Sequence, residues 1–383
     1  MSFDFSNILN QQQRKAIGNA VLTPFSWVFR VIVWIRNICF NIGLLKEETF
    51  DVPVVSVGNI TVGGTGKTPH VEYIIEHLCR KYNIGVLSRG YKRATHGFIL
   101  ATESLSPRDI GDEPFQIFHK FGDLITLAVC EKRVKGIREM LKINPNINLI
   151  LLDDAFQHRF VKPKVNIVLI DYNRPPFTDK MLPLGFLREP LSSLLRADMV
   201  VVTKCPPDIK PVDVRMMKEN LELIPAQELF YSSIKYAEPK SVFPINNPQL
   251  MSMSWLEPDD LVLGLTGIAN PRTFVRYLKN YSAKVKVIHF DDHHYFTRED
   301  FKYIFNMFES MPGRRKFIVT TEKDAVRILN NPYFPPTMRD YVYYIPIKVG
   351  FRDYDVHDFI EILEKKINET VAPPHQYYDA DNN

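Results

Sequence analysis

Cysteine is scarce in this chain: Cys39, Cys79, Cys130 and Cys205 are the only four in 383 residues, far apart and with no CxxC pair. A zinc ribbon or a disulfide scaffold needs thiols at set spacings, so neither organises this fold, and a reducing, cytosol-facing compartment is expected. Excess charge is scarce as well. The formal net charge is +4, too small at this length for whole-molecule attraction to nucleic acid, and no nucleic-acid partner is expected. There is no internal repeat and no long low-complexity segment. A hydrophobic content of 45% is enough to bury ordinary cores in two or three domains.

One long apolar run stands near the N-terminus, Val21 to Leu45, interrupted by Arg30 and Arg36. A polar stretch precedes it and no small-residue cleavage site follows, which argues against a signal peptide. On a helical wheel Thr23, Ser26, Arg30, Asn37 and Asn41 fall within about 60° of one another. A broad face of Phe25, Val28, Phe29, Ile32, Val33, Ile35 and Phe40 is left over. Such a helix suits a membrane interface better than a membrane span, although the same face would also pack on a domain behind it. Thr23 is the expected N-cap, Pro24 the first helical residue and Gly43 the stop. Residues 1–46 are read as this membrane-associating region.

The segment Val52 to Pro69, VPVVSVGNITVGGTGKTP, carries the most chemistry. Val54, Val55 and Val57 suit a buried strand, and the glycine-rich turn after them ends in Gly66-Lys67-Thr68. That is the layout of a P-loop, in which backbone N–H groups point inward around phosphate oxygens. The expected cradle is Gly58, Asn59, Gly63, Gly64, Thr65 and Gly66. Lys67 reaches the outer phosphates and Thr68 offers its hydroxyl to Mg²⁺, with a nucleoside triphosphate as the ligand. The usual spacing puts a glycine where this chain has Thr61, leaving Gly58 and Gly63 as the nearest substitutes.

Beyond the loop, apolar runs alternate with helical stretches: Ile84 to Ser88, Ile125 to Cys130, Leu149 to Leu152, Val165 to Ile170 and Met199 to Val202. That rhythm predicts an α/β fold with a mainly parallel, P-loop-like sheet over residues 47–207. Prolines 206, 207 and 211 interrupt it. A second alternation, Leu261 to Leu265, Val285 to Phe290 and Phe317 to Thr320, predicts a smaller α/β domain over 208–366 with a C-terminal helix. In it a helix should start at Pro271, and Thr297 with Asp300 should cap another. Residues 367–383 lack an apolar period and are expected to fray.

NLILLDD at Asn148 to Asp154 ends an apolar strand in two carboxylates, the form of a Walker B element. Either Asp153 or Asp154 could contact Mg²⁺. Ser88-Arg89-Gly90-Tyr91, Gly111-Asp112-Glu113-Pro114 and Leu187-Arg188-Glu189-Pro190 sit where crossovers should leave the sheet, around the ligand crevice of an open α/β fold.

Taken in order, these segments resemble the tetraacyldisaccharide 4′-kinase family. The likeness rests on SVGNITVGGTGKTP, SRGYKR (88–93), GDEP (111–114), LLDDAFQHR (151–159), LREP (187–190), RADMVVVTK (196–204), GIANP (267–271), DHHYF (292–296) and TTEKDAVR (320–327). Ala155 stands where the family usually has Gly. The resemblance implies ATP- and Mg²⁺-dependent phosphorylation of the 4′-hydroxyl of an acylated glucosamine disaccharide 1-phosphate. It places the enzyme peripherally on the cytoplasmic face of a Gram-negative inner membrane. It makes Asp112 the candidate base, partnered by His293 or His294 from the second domain. Arg89, Gly90, Tyr91, Gln157, His158, Arg188 and Glu189 become candidate contacts to the sugar or its 1-phosphate.

Two other P-loop classes fit less well. A membrane-associated partition ATPase expects a lysine where Val62 stands. A GTPase would need a guanine-gripping aspartate that Thr203-Lys204-Cys205-Pro206 lacks, and Lys323 and Asp324 are adjacent instead of one residue apart. A non-catalytic membrane scaffold would leave Asp112, Asp153 and Asp154 without a purpose.

Overall fold

The computed structural model describes residues 11–243, 250–268, 271–282, 284–292, 294–313, 315–351 and 356–369. It starts with a long helix, α1 (Gln11–Asn41). Then come β1 (Val54–Asn59), α2 (Lys67–Leu78), β2 (Ile84–Ser88), β3 (Ile99–Leu100), α3 (Pro107–Ile110), α4 (Asp112–Phe121) and β4 (Ile125–Val129). Next are α5 (Arg133–Ile143), β5 (Leu149–Asp153), β6 (Val165–Asp171), β7 (Met199–Thr203), α6 (Pro211–Asn220) and β8 (Glu228–Tyr236). After them the chain forms β9 (Lys240–Ser241), β10 (Leu261–Thr266), α7 (Arg272–Tyr281), β11 (Val285–His289), α8 (Arg298–Glu309), β12 (Lys316–Thr321) and α9 (Glu322–Leu329). It closes with β13 (Val342–Ile345), β14 (Ile347–Phe351) and α10 (Val356–Asn368).

Among the described residues the strands form two sheets, ordered β14-β8-β7-β6-β1-β5-β2-β4-β3 and β11-β10-β12-β13-β9. From β8 to β4 every pairing in the larger sheet is parallel, which is why β1, β5, β6 and β7 are mostly apolar and buried on both faces. Antiparallel β14 and β3 close its edges. One face is covered by α2, α4 and α10, joined through Val71, Ile74, Ile117, Phe359 and Leu363.

The two sheets do not divide at residue 207. β8 continues the larger sheet from β7, the chain then builds the whole smaller sheet, and β14 and α10 return to the larger body. The residue 207/208 boundary expected from the prolines therefore falls between two neighbouring strands of one sheet. Prolines mark a turn in the chain, and strand pairing decides which sheet receives the next segment. The helix starts predicted inside the smaller unit agree with the structure: α7 begins after Pro271, and Thr297 and Asp300 form a reciprocal capping box on α8.

Helix α1 departs from expectation in two ways. It runs through Pro24, so Thr23 is not its N-cap. Part of its polar stripe also faces the protein, while Arg30 and Asn41 are exposed. Ser26 is buried and donates its hydroxyl to the Met181 carbonyl at 2.9 Å, Arg36 pairs with Glu189, and the Asn37 carbonyl accepts from Arg159. Val33 and Phe40 are the buried apolar residues of this seam. The outer surface carries Phe25, Trp27, Val28, Val31, Ile32, Trp34 and Ile35, all exposed.

Candidate active site

The C-terminal ends of the parallel strands hold the candidate chemistry. β1 runs into the glycine-rich turn, and Gly66, at φ 91°, caps α2 in the left-handed region that only glycine enters cheaply. Gly58 is required by close approach: a Cβ there would lie 2.6 Å from Phe156 Cβ and 2.8 Å from the Phe156 nitrogen. The turn is held from several sides. Asn59 Nδ2 donates to Thr65 Oγ1 at 2.9 Å, and Gln157 Nε2 donates to the Asn59 carbonyl at 2.6 Å. Thr203 Oγ1 donates to the Thr65 carbonyl at 2.8 Å, and Lys204 Nζ donates to the Gly64 carbonyl while pairing with Asp171 at 2.6 Å. A hairpin from the next loop joins in, with the Val62 N–H donating to the Phe186 carbonyl and the Arg188 N–H to the Ile60 carbonyl, each at 2.8 Å.

Asp153 ends β5, in register beside Val57 of β1. It is buried, accepts from Ser88 Oγ at 3.2 Å through one oxygen, and its Oδ1 has no hydrogen-bond partner. Burial and the neighbouring Asp154 charge push its pKa up to about 6, against the pull of Lys67. Asp154 follows at φ 49°, a left-handed conformation that costs a non-glycine residue roughly 1 kcal/mol. Lys67 Nζ lies 3.6 Å and Arg188 Nη1 3.4 Å from its carboxylate. Burial opposes its ionisation, but these two cations outweigh it and hold its pKa below the ordinary value. A buried carboxylate oxygen without a donor, a second ionised carboxylate and the Thr68 hydroxyl at the start of α2 form an all-oxygen set that fits Mg²⁺.

Asp112 opens α4, where a helix N-terminus favours a carboxylate. Glu113 next to it acts on Asp153, so this helix start faces the Walker B end of β5. The second sheet unit closes on the same point. Arg327 of α9 reaches Asp112 Oδ2 with Nη2 at 2.7 Å and Nε at 3.0 Å. Lys323 bridges Glu113 at 3.2 Å and Asp292 at 3.3 Å, and the Arg108 guanidinium lies 3.9 Å from the centre of the Tyr295 ring.

A model of the tetraacyldisaccharide-1-P 4′-kinase family, LpxK, matches residues 18–368. The chain belongs to that family. It is 43% identical to the tetraacyldisaccharide 4′-kinase of Phocaeicola vulgatus over 355 residues, covering 92% of this chain and 95% of that one. With the enzyme of the same name from Bacteroides thetaiotaomicron it shares 44% identity over 335 residues, 86% of this chain and 88% of the other. Its fold is similar to that of LpxK from Aquifex aeolicus solved in complex with ATP, with a TM-score of 0.68 at 25% identity, covering 91% of this chain and 99% of that one.

Within the LpxK fold, the candidate acceptor contacts separate into groups. Arg89 and Tyr91 are exposed on the loop after β2, and Gly90 between them is packed against Arg93 and the Ile110 carbonyl. Gln157 supports the phosphate turn from behind, through the bond described above. His158 Nε2 lies 3.2 Å from the Glu131 carbonyl and must donate there, which leaves Nδ1 as the bare, buried nitrogen. Burial and the nearby Arg133 charge lower its pKa.

Glu189 does not face a ligand. It is fully buried between Arg36, at 2.8 Å, and Arg196. The expectation of a sugar contact is corrected to an anchor for α1. His294 is also engaged, with Nε2 2.8 Å from Asp300 in the capping box and its ring stacked on Phe290 at 4.6 Å. His293 lies outside the described residues.

Sequence reasoning missed Arg133 and the support given by Lys204. Arg133 is fully buried and donates to the carbonyls of Cys130, at 2.6 Å, and Asp153, at 3.1 Å. Burial pushes its pKa down to about 10, against the pull of Asp153 and Asp154. Its signal in the sequence was a lone arginine one residue into a helix, which is common on any surface.

Proposed function

We propose that this chain transfers the γ-phosphoryl group of ATP to the 4′-hydroxyl of a tetraacyldisaccharide 1-phosphate, a late step in building lipid A. The observation that carries the reading is the meeting of Lys67, Arg188 and the Asp153-Asp154 pair at one strand edge, with Asp112 opening the adjacent helix. Phosphoryl transfer needs alignment and charge neutralisation more than covalent help from the protein, and this cluster supplies both.

In the step, the 4′-hydroxyl loses its proton to the Asp112 carboxylate as its oxygen bonds to the γ-phosphorus. The bond from that phosphorus to the β,γ-bridging oxygen breaks, and ADP leaves with the electron pair. Lys67 neutralises charge on the phosphate oxygens, while the N–H groups of the turn and of the α2 N-terminus hold them in line. Mg²⁺, held by Thr68 and by Asp153 or Asp154, adds charge neutralisation at the phosphates when bound. His293 is the proposed partner of Asp112. Arg89, Tyr91 and Arg188 suit an anionic disaccharide.

The reaction is placed at the cytoplasmic face of the inner membrane, where ATP meets the acylated acceptor. Val21–Asn41 is long and apolar enough by composition to cross a bilayer. Its seam of Ser26, Val33, Arg36 and Phe40 against the protein favours lying in the interface with the outer face in lipid. A partition ATPase would leave Asp112 without work. To test the reading, purified protein is incubated with labelled ATP and a panel of acylated disaccharide 1-phosphates. Labelled lipid is the expected product, and release of inorganic phosphate with no labelled lipid would overturn it.

A further inference from the structure

Three successive carbonyls of the phosphate turn are gripped by side chains, the last of them by a histidine that the reaction as described does not use. Lys204 Nζ donates to the Gly64 carbonyl, and Thr203 Oγ1 to the Thr65 carbonyl at 2.8 Å. The Gly66 carbonyl lies 2.7 Å from Nδ1 of His70, a buried residue in the first turn of α2. A carbonyl oxygen has no proton to give, so Nδ1 must carry one and donate it. Burial outweighs that hydrogen bond and lowers the His70 pKa to about 4, so the ring is neutral and its Nε2 is an acceptor. Ser232 Oγ, 2.8 Å from Nε2, is therefore the donor there. Ser232 is buried in β8, accepts the Cys205 N–H through its carbonyl at 2.9 Å and pairs with Phe351 of β14. The imidazole stands edge-on to the Phe351 ring at 6.2 Å.

We infer that His70, set in its Nδ1–H form by Ser232, is a positioning residue that aims the Lys67 N–H at the nucleotide phosphates. This rests on the reading of the turn as a phosphate cradle. The Gly66 carbonyl and the Lys67 N–H belong to one planar trans peptide and point to opposite sides of it, so pinning the oxygen sets the direction of the N–H. The first N–H groups of a helix have no acceptor within it, and these are the groups that hold an anion at a helix N-terminus. Gly66 needs the pin, because a glycine at φ 91° has more backbone freedom than any other residue would have there. The helical bond from the His70 N–H to the same carbonyl is 3.2 Å long, so the ring makes the shorter of the two contacts. Thr203 and Lys204 hold their carbonyls from the end of β7. His70 ties the next peptide to β8 and β14, the strands by which the chain leaves for the smaller sheet and returns from it.

The test is ADP binding by calorimetry, with steady-state kinetics, in full-length protein carrying His70→Ala, His70→Asn or His70→Gln. An asparagine amide can place a donor near the position of Nδ1, whereas a glutamine amide reaches the position of Nε2 instead. His70→Ala should weaken ADP binding about tenfold, the scale of one hydrogen bond to a charged group. The KM for ATP should rise by a similar factor while kcat stays within about twofold, because the N–H holds phosphate in the ground state and the transition state alike. His70→Asn should recover most of the affinity, and His70→Gln should not. A histidine that only fills the core predicts no such split. Unchanged ADP affinity in His70→Ala, equal affinities in the asparagine and glutamine variants, or a fall in kcat with KM unmoved would each overturn the inference. If the variants fail to fold, the parent still carries a readout in the ¹⁵N signals of the His70 ring. They should show the proton on Nδ1, and a neutral ring protonated on Nε2 overturns the inference. Failure of the parent to bind ADP at all is the separate result that would remove the phosphate-cradle reading.

Discussion

Arg36, on a helix whose outer face is apolar and exposed, reaches Glu189 at 2.8 Å in a fully buried position next to the phosphate turn. Glu189 follows Arg188, whose backbone N–H bonds to Ile60 and whose side chain meets Asp154. A helix with a lipid-suited surface is therefore tied, through one carboxylate, to the loop that helps shape the nucleotide end of the site. Removing the guanidinium leaves a buried charge with Arg196 still beside it. Arg36→Ala should lower stability by about 2 kcal/mol, short of the full cost of stranding a buried ion. Urea unfolding measures this, and a variant as stable as the parent would mean that the pair does not anchor α1.

Lys67, the first residue of α2, stands 3.6 Å from the Asp154 carboxylate. Lys67→Ala removes the charge that neutralises the transferring phosphoryl group, so turnover should fall by about two powers of ten or more. The far-ultraviolet circular dichroism should be unchanged, because the surface of the turn is held by Thr203 and Lys204. Near-parental phosphorylation would remove the P-loop assignment.

Lys120 stands between two carboxylates, 2.6 Å from Glu72 of α2 and 3.0 Å from Glu322 of α9. One positive charge cannot neutralise two carboxylates, and burial together with the Glu322 charge pushes the Glu72 pKa from 4.5 up to about 7. A carboxyl raised in the fold contributes stability that is complete below pH 4.5 and is lost as pH rises through 7. Glu72→Gln, neutral throughout, should therefore gain on the parent in unfolding free energy between pH 5 and pH 8. A constant difference across that window would mean that Glu72 stays ionised.

What could be read from the sequence was what is decided locally. The valines of β1, the glycine-rich turn that ends at Gly66 and the capping box of Thr297 and Asp300 each carry their reason within a few residues, and each forms as expected. What depended on distant partners was misread. Glu189 looked like a ligand contact because it stands beside Arg188 in a loop leaving the sheet, and only the arrival of Arg36, 153 residues earlier in the chain, makes it an anchor. The seam of α1 depends on a distant partner in the same way, since Ser26 has its acceptor at Met181. Likewise, β14 and α10 join the larger sheet unit through pairing with β8 and packing on α2, which no local pattern announces.

The outer face of α1 gives a test of the membrane role that spares the anchor. Deleting the helix would strand Glu189 and uncover Met181 and Leu187, which pack with Val33, so loss of activity in a truncated chain would be ambiguous. Trp27 and Trp34, 63% and 61% exposed, and Ile32 between them make no part of that seam. Replacing these three with serine removes apolar area from water-facing surface only, so thermal stability should hold. If the face sits in lipid, each side chain supplies on the order of 1 kcal/mol through partial burial, and the triple variant should bind anionic vesicles about a hundredfold more weakly. Its rate on acceptor presented in vesicles should fall with it, while the KM for ATP stays put. Equal sedimentation of parent and variant with vesicles would show that the exposed face is not what meets the membrane, and the interfacial reading of α1 would go with it.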